Sequence, residues 1–313
     1  MILVESWDPT ELESLEKEAN LRSFALDPAW VEAAVSSEYA RPQILGVREA
    51  GSLRAACVGL RRSRAGLSKV VCGTNGGVGL IFADTRAAAV LIRGMLRRWQ
   101  PSELQIFGPQ NVPETSIDWG PCYTFHIDLR IQAENVLRNF KKQTRHGLRQ
   151  ALERGVTAAT AVGSEVEEAF DLIASTANEK RFRLPPRRYL AALHQSFARS
   201  GLSEVIVAKQ DDSLLAAVHV LGARGVASWW KGGATPKGYS ENASTVAMWT
   251  AIKAAADHGF ETFDMGGTHP SDPKYQGIHR YKASFGGRLV QTFVGLRSTL
   301  VARTIRRLSS ISL

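Results

Sequence analysis

Cysteine is scarce in this chain of 313 residues, with three in all: Cys57, Cys72 and Cys122. An odd count with no metal-ligand spacing excludes a disulfide scaffold and a cysteine-built zinc site, and leaves buried thiols in a reducing compartment. Common catalytic signatures are missing too. There is no G-x-S-x-G, H-E-x-x-H or C-x-x-C, and no Gly-Lys-Ser/Thr follows a glycine-rich turn. No G-x-G-x-x-G opens a helix after a strand, so neither a P-loop nor a dinucleotide fingerprint is present. No run approaches the roughly 20 apolar residues that span a bilayer. The first residues are acidic (Glu5, Asp8, Glu11, Glu13) and contain no apolar signal region. A soluble, cytoplasmic, monomeric chain without a transmembrane segment is the expectation.

Negative charge is the other shortage. The net charge is +9 and the pI about 9.7, which calls for an anionic partner such as nucleic acid, nucleotide, anionic lipid or phosphorylated sugar. After Asp272 no acidic residue follows, whereas Lys274, Arg280, Lys282, Arg288, Arg297, Arg303, Arg306 and Arg307 do. The excess is therefore local.

What is present comes twice. Residues 28–38 predict a helix with Pro28 in its first turn, followed by strands Gln43–Glu49 and Leu53–Leu60 around Ala50-Gly51-Ser52. A strand at Lys69–Cys72 then meets the turn Gly73-Thr74-Asn75-Gly76-Gly77. Asp84 or Thr85 caps a helix with the stripe Ala88, Leu91/Ile92, Met95 and Trp99, and a strand ends at Phe107-Gly108-Pro109. About 160 residues later the order returns, with SLRAACVGL at Ser52–Leu60 answered by SLLAAVHVL at Ser213–Leu221. Self-similarity at one spacing predicts two copies of one α/β unit. Boundaries are expected near 1–128 and 131–295, with 296–313 completing the first copy. Leu296–Leu308 predicts an amphipathic helix whose apolar side packs on that copy.

Between the copies, Glu134–Gly155 predicts a helical stretch. Its apolar stripe is Leu137, Phe140, Leu148 and Ala151/Leu152. Lys141, Arg145 and Arg149, four apart, form a basic one with Arg138 and Lys142 beside it. Five cations with little acid among them repel one another unless an anion lies close, although a solvated cationic face has the same pattern.

The chemistry is expected in Phe260–Gly287. A short strand, Thr262-Phe263-Asp264-Met265, stops at Gly266-Gly267, and a polar loop then carries His269, Asp272, Lys274 and His279. Tyr281-Lys282 closes the loop before Phe285-Gly286-Gly287. A strand that ends on glycines and yields to a polar loop is where α/β folds place ligands. The loop's histidines and Asp272 lack a helical or hairpin spacing that would aim them at one metal, so no metal is expected. Asp264 fits either a base for an incoming amine or a loop cap. Trp229 and Trp230 are candidates for stacking a base, one of them facing away into a core.

At these residues the chain resembles the FemAB-like transferases. Lys142-x-x-Arg145-x-x-Leu148-Arg149-x-Ala151-x-x-x-Gly155, Phe263-Asp264-Met265-Gly266-Gly267 and Tyr281-Lys282-x-x-Phe285-Gly286 carry the resemblance, in that order. Phe107-Gly108-Pro109 and the GTNGGVG run are similar to the first copy's equivalents. The resemblance implies two tandem GNAT-type domains of an α/β (α+β) class, each a mixed, mostly antiparallel sheet flanked by helices, the second similar to the BioF-like acetyltransferase type. It implies transfer of an aminoacyl group from aminoacyl-tRNA to an amine on a peptide, amino sugar or small molecule, with no bound cofactor. Relatives of the fold use acetyl-CoA or another acyl-CoA instead, and a non-catalytic RNA or nucleotide binder remains a third reading. By resemblance, Lys282, Tyr281 and Asp264 are the catalytic candidates. Lys141, Lys142, Arg145, Arg149, Trp230, Lys231, Gly232, Gly233 and Arg280 would face the donor tRNA, and His269, Asp272, Lys274 and His279 the acceptor. The run from Lys231 to Tyr239 departs from the Q/R-x-x-G-x-G/A of CoA-using domains, and no coiled-coil arm is present.

Overall fold

The computed structural model describes every residue except 65, 75, 76, 114 and 310–313. Asn75 and Gly76 of the expected glycine-rich turn thus lie outside the described residues. In chain order the elements are β1 (Ile2–Val4), α1 (Pro9–Ala19), α2 (Pro28–Ser36), β2 (Arg41–Glu49), β3 (Ser52–Arg64) and β4 (Leu67–Thr74). Then come β5 (Gly77–Val78), β6 (Leu80–Phe82), α3 (Thr85–Trp99), β7 (Glu103–Gly108) and β8 (Asp118–Asp128). The second half has α4 (Ala133–Asn139), α5 (Lys142–Glu153), β9 (Thr157–Thr160), α6 (Ser164–Lys180) and α7 (Arg187–Ser200). It continues with β10 (Leu202–Gln210), β11 (Ser213–Ala223), β12 (Val226–Ala234), α8 (Pro236–Ser240), α9 (Ala243–Asp257) and β13 (Thr262–Asp264). Last are α10 (Gln276–Ala283), β14 (Arg288–Ser298) and α11 (Leu300–Ser309).

Two compact units result, Met1–Tyr123 with Gln291–Leu313, and Thr124–Val290. In the first, β2, β3, β4 and β7 lie side by side, antiparallel, antiparallel, then parallel. In the second, β10, β11, β12 and β13 repeat that sequence of directions. The likeness extends to single residues. Glu49 faces Ser52 across one hairpin and Gln210 faces Ser213 across the other, with a bulge after Val47 and after Ala208. Both hairpin turns place two successive residues at positive φ: Ala50 (49°) and Gly51 (84°), then Asp211 (49°) and Asp212 (61°). That is the backbone a tight two-residue turn needs to match strand twist. The repeated SLxAA strings are therefore the same strand in two copies.

Each unit is completed by a strand from across the sequence boundary. Thr262, Phe263 and Asp264 pair with Asp128, Ile127 and His126 of β8, inside the second unit. Phe293–Ser298 of β14 pairs with β7, inside the first. The chain thus changes units at Tyr123/Thr124 and Val290/Gln291, a few residues before the boundaries expected from sequence. A change of unit within a strand carries no turn residue to mark it.

Two expected helices differ. The stretch Glu134–Gly155 breaks at Phe140, whose ψ of 148° is extended. Phe140 leaves the helix to pack edge-on against Trp249 (5.5 Å) and Phe285 (4.9 Å). At the C-terminus, Leu296 belongs to β14 opposite Gln105, and the helix starts only at Leu300. Leu300 and Val301 are exposed, and Ala302 is the buried contact. Among the described residues no helix is long and apolar enough to cross a membrane.

The candidate active site in the second unit

The site is built where β13, β12 and α10 converge, on a core that includes Phe263, Met265 and Phe285. Lys282 sits near the end of α10 and is 5% exposed. Its Nζ donates to the Gly267 carbonyl at 2.7 Å and lies 4.8 Å from the centre of the Trp229 ring. Among the described residues it forms no ion pair with a carboxylate. Burial in these apolar surroundings pulls its ammonium down to about 7, opposed by the field of Asp264 and aided by that of Lys231. The indole Nε1 of Trp229 is buried without a hydrogen-bond acceptor among the described residues. This spot thus combines a positive charge, met by one carbonyl, with an indole donor that has no acceptor among the described residues.

Asp264 is buried at the end of β13. Its Oδ1 accepts from the Gly266 N–H (2.7 Å) and from the Thr124 hydroxyl, which also lies 3.0 Å from the Gly266 carbonyl. Its Oδ2 is 3.5 Å from His126 Nε2. The carboxylate therefore fixes the turn that presents Gly267 to Lys282. Gly266 has φ +72°, and a side chain there would meet the Trp229 carbonyl at 3.0 Å.

Tyr281 serves structure. Its hydroxyl donates to the Ser244 carbonyl at 3.0 Å, its ring packs edge-on against Phe285 and Trp229, and burial pushes its phenol up. Lys231 is half-buried beside the rings of Trp230 (4.8 Å) and Phe182 (5.9 Å), and desolvation pulls its ammonium to about 8. Gly232 and Gly233 are needed for packing. Added side chains would meet Trp229 Nε1 at 2.8 Å and Thr176 Oγ1 at 2.6 Å. Arg280 lies exposed on α10.

The loop residues turn inward on one another. His269 Nδ1 accepts from Asp272 N–H (3.1 Å), Asp272 accepts from Lys274 N–H (2.9 Å), and His279 Nδ1 meets Thr268 Oγ1 (3.2 Å). Lys274 is exposed. No group of three or more metal-ligating side chains forms among the described residues.

The basic stripe is divided in its duties. Arg145 donates to the carbonyls of Phe140 and Arg138 (2.8 Å), closing the end of α4. Arg149 is 3.6 Å from Glu153. Lys141 and Lys142 are exposed at the start of α5, which has no side-chain cap. Cations are disfavoured at that helix end unless an anion joins them. Arg145→Ala is expected to lower the melting temperature by about 2–4 °C, as a lost charge-assisted bond should in a unit of this size. Lys141→Ala with Lys142→Ala is expected to leave melting unchanged and weaken RNA binding. Calorimetry and an RNA titration on both variants separate the two roles, and equal melting in all three chains would refute the clasp.

Sequence reasoning missed Thr124, His126 and the Gly267 carbonyl. The first two lie 140 and 138 residues before Asp264, on a strand that joins β13 only in the folded chain, so no local pattern announces them.

Repeated topology and the helices on the sheets define a tandem GNAT-type fold, whose second copy carries this buried lysine. Residues 138–283 match the family model described as an acetyltransferase (GNAT) domain. The matched stretch lies within the second unit. In structure the whole chain is similar to FemX, with TM-score 0.72 and 13% identity over 99% of this chain and 100% of that one. L-PGS from Bacillus licheniformis aligns with TM-score 0.54 and 12% identity, over 96% and 97% of the two chains. A tandem GNAT protein from the clavulanic acid biosynthesis pathway aligns with TM-score 0.56 and 12% identity, over 94% and 97%. No curated protein matches the chain in sequence.

Proposed function

We propose that the second unit transfers an aminoacyl group from aminoacyl-tRNA to an amine. The observation that carries this reading is the buried Lys282 ammonium, held by a carbonyl and an aromatic face with no carboxylate ion pair among the described residues. A cation kept out of water without a counter-ion is offset when negative charge develops beside it. The acceptor nitrogen attacks the ester carbonyl, a C–N bond forms, and the carbonyl oxygen becomes an oxyanion facing Lys282. Collapse breaks the ester C–O bond, and the ribose hydroxyl leaves with a proton. Asp264 holds the Gly266-Gly267 turn, and through it Lys282, in position. Support for tRNA as donor comes from the likeness to FemX and from Lys141 and Lys142 at an uncapped helix start.

The acetyltransferase description of residues 138–283 favours a second reading, with acyl-CoA as donor. Against it, the backbone at Gly232-Gly233 is already in contact with Trp229 and α6. A transfer assay offering charged tRNA and acetyl-CoA side by side, with and without ribonuclease, tests the choice. Ribonuclease-sensitive amide formation is expected. Transfer from acetyl-CoA that survives ribonuclease overturns the tRNA reading.

A further inference from the structure

The first unit carries a groove of about 1090 Å³ whose lining includes Arg41, Arg61, Arg62, Arg64 and Lys69, with Glu38 as the one carboxylate among the lining residues. Strand register sets four of these cations in two facing pairs. Arg41 lies directly opposite Arg61 across β2 and β3, and Arg62 directly opposite Lys69 across β3 and β4. Like charges facing each other across strands are destabilising, and here one such pair stands on each face of the sheet, because Arg61 and Arg62 are successive residues of one strand. Part of the charge is used internally. Arg61 donates to the Trp99 carbonyl at 2.9 Å, Lys69 is 4.0 Å from Glu103, and the Arg62 guanidinium stands 5.1 Å over the Tyr39 ring. Arg41, Arg62 and Arg64 are exposed, and no carboxylate pairs with them among the described residues.

We infer that this groove binds the phosphodiester backbone of RNA. The inference deepens the donor reading above, and rests on it for the choice of RNA over other polyanions. Arginine presents a planar fork that meets phosphate oxygens in pairs, so three unpaired guanidiniums suit a run of phosphates. Neutralising successive phosphates releases counter-ions, which gives binding a salt dependence in proportion to the contacts made. The arrangement costs the free protein like-charge repulsion, which bound RNA removes.

The test uses the full chain, uncharged tRNA as probe, and fluorescence anisotropy across a salt series. The triple variant Arg41→Gln/Arg62→Gln/Arg64→Gln is expected to bind about tenfold or more weakly at low salt. Its plot of log affinity against log salt should be shallower by about 2–3, at roughly 0.7–0.9 per phosphate contact. Its melting temperature should not fall, since repulsion is relieved, and the triple Arg→Lys variant should keep the wild-type slope. An unchanged slope in the glutamine variant overturns the inference, as does an absence of tRNA binding by the wild-type chain. Binding to phosphatidylglycerol vesicles that the triple variant loses, with its RNA slope intact, overturns it too. If transfer requires acetyl-CoA while the slope change holds, the donor reading falls and the groove stands. Transfer from charged tRNA with no slope change does the reverse.

Discussion

Replacing Lys282 with Met is expected to lower kcat by about 100-fold or more while the protein stays folded. Methionine keeps most of the aliphatic stem over Trp229 and removes the ammonium. Loss of one donor aimed at a developing oxyanion costs about 2.7–4 kcal/mol of transition-state stabilisation. The acceptor KM should change little, because the interaction matters only once the carbonyl oxygen carries charge. The pH profile gives an independent readout. With its ammonium pulled down to about 7, Lys282 loses its proton as pH rises through neutrality. If the charged form is required, kcat/KM should fall above about 7, against the gain from deprotonating the acceptor amine. That falling limb should vanish in Lys282→Met. A rate that climbs through pH 7 because of Lys282 would make it a base, and wild-type rates in the variant would remove it from the chemistry.

Phe285→Ala should be the most damaging single change to the second unit. Phe285 is fully buried, and its ring meets Phe140 at 4.9 Å and Tyr281 at 5.1 Å. It ties the break between α4 and α5 to the residue preceding Lys282. Truncating a buried phenylalanine typically costs about 3–5 kcal/mol, from lost transfer energy and the cavity left behind. Urea unfolding should show the loss, and transfer should fall with it as Lys282 is released from its seat. A variant with wild-type stability would show that this aromatic cluster does not hold the site. The two substitutions are separable, since Lys282→Met should reduce rate without comparable loss of stability.

The duplication was legible because both copies keep one hydrophobic pattern and one kind of turn. Ser52–Leu60 and Ser213–Leu221 could be matched by eye, and even the bulge positions proved to correspond. Lys282 and Asp264 stood out because glycines and a polar loop interrupt an otherwise apolar pattern there. Other features depended on contacts distant in sequence. No proline or glycine marks the break at Phe140, where ring packing against Trp249 and Phe285 overrides a continuous helical pattern. Arg145 looked equivalent to Lys141 by spacing, yet the break leaves carbonyls within its reach and commits it to them. The groove in the first unit has no local signature, because its lining residues come from separate stretches that only the folded sheet brings to one rim.

The same duplication leaves the first unit incomplete for most of the chain's synthesis. The edge of β7 is paired by β14, whose contribution to that unit begins at Gln291. Everything from Thr124 to Val290 must therefore leave the ribosome before the N-terminal sheet receives this strand. At typical elongation speeds that interval lasts roughly 10–30 s. During it the nascent chain presents a strand edge able to recruit another. Folding of the N-terminal half is thereby timed by translation of the half that carries the lysine.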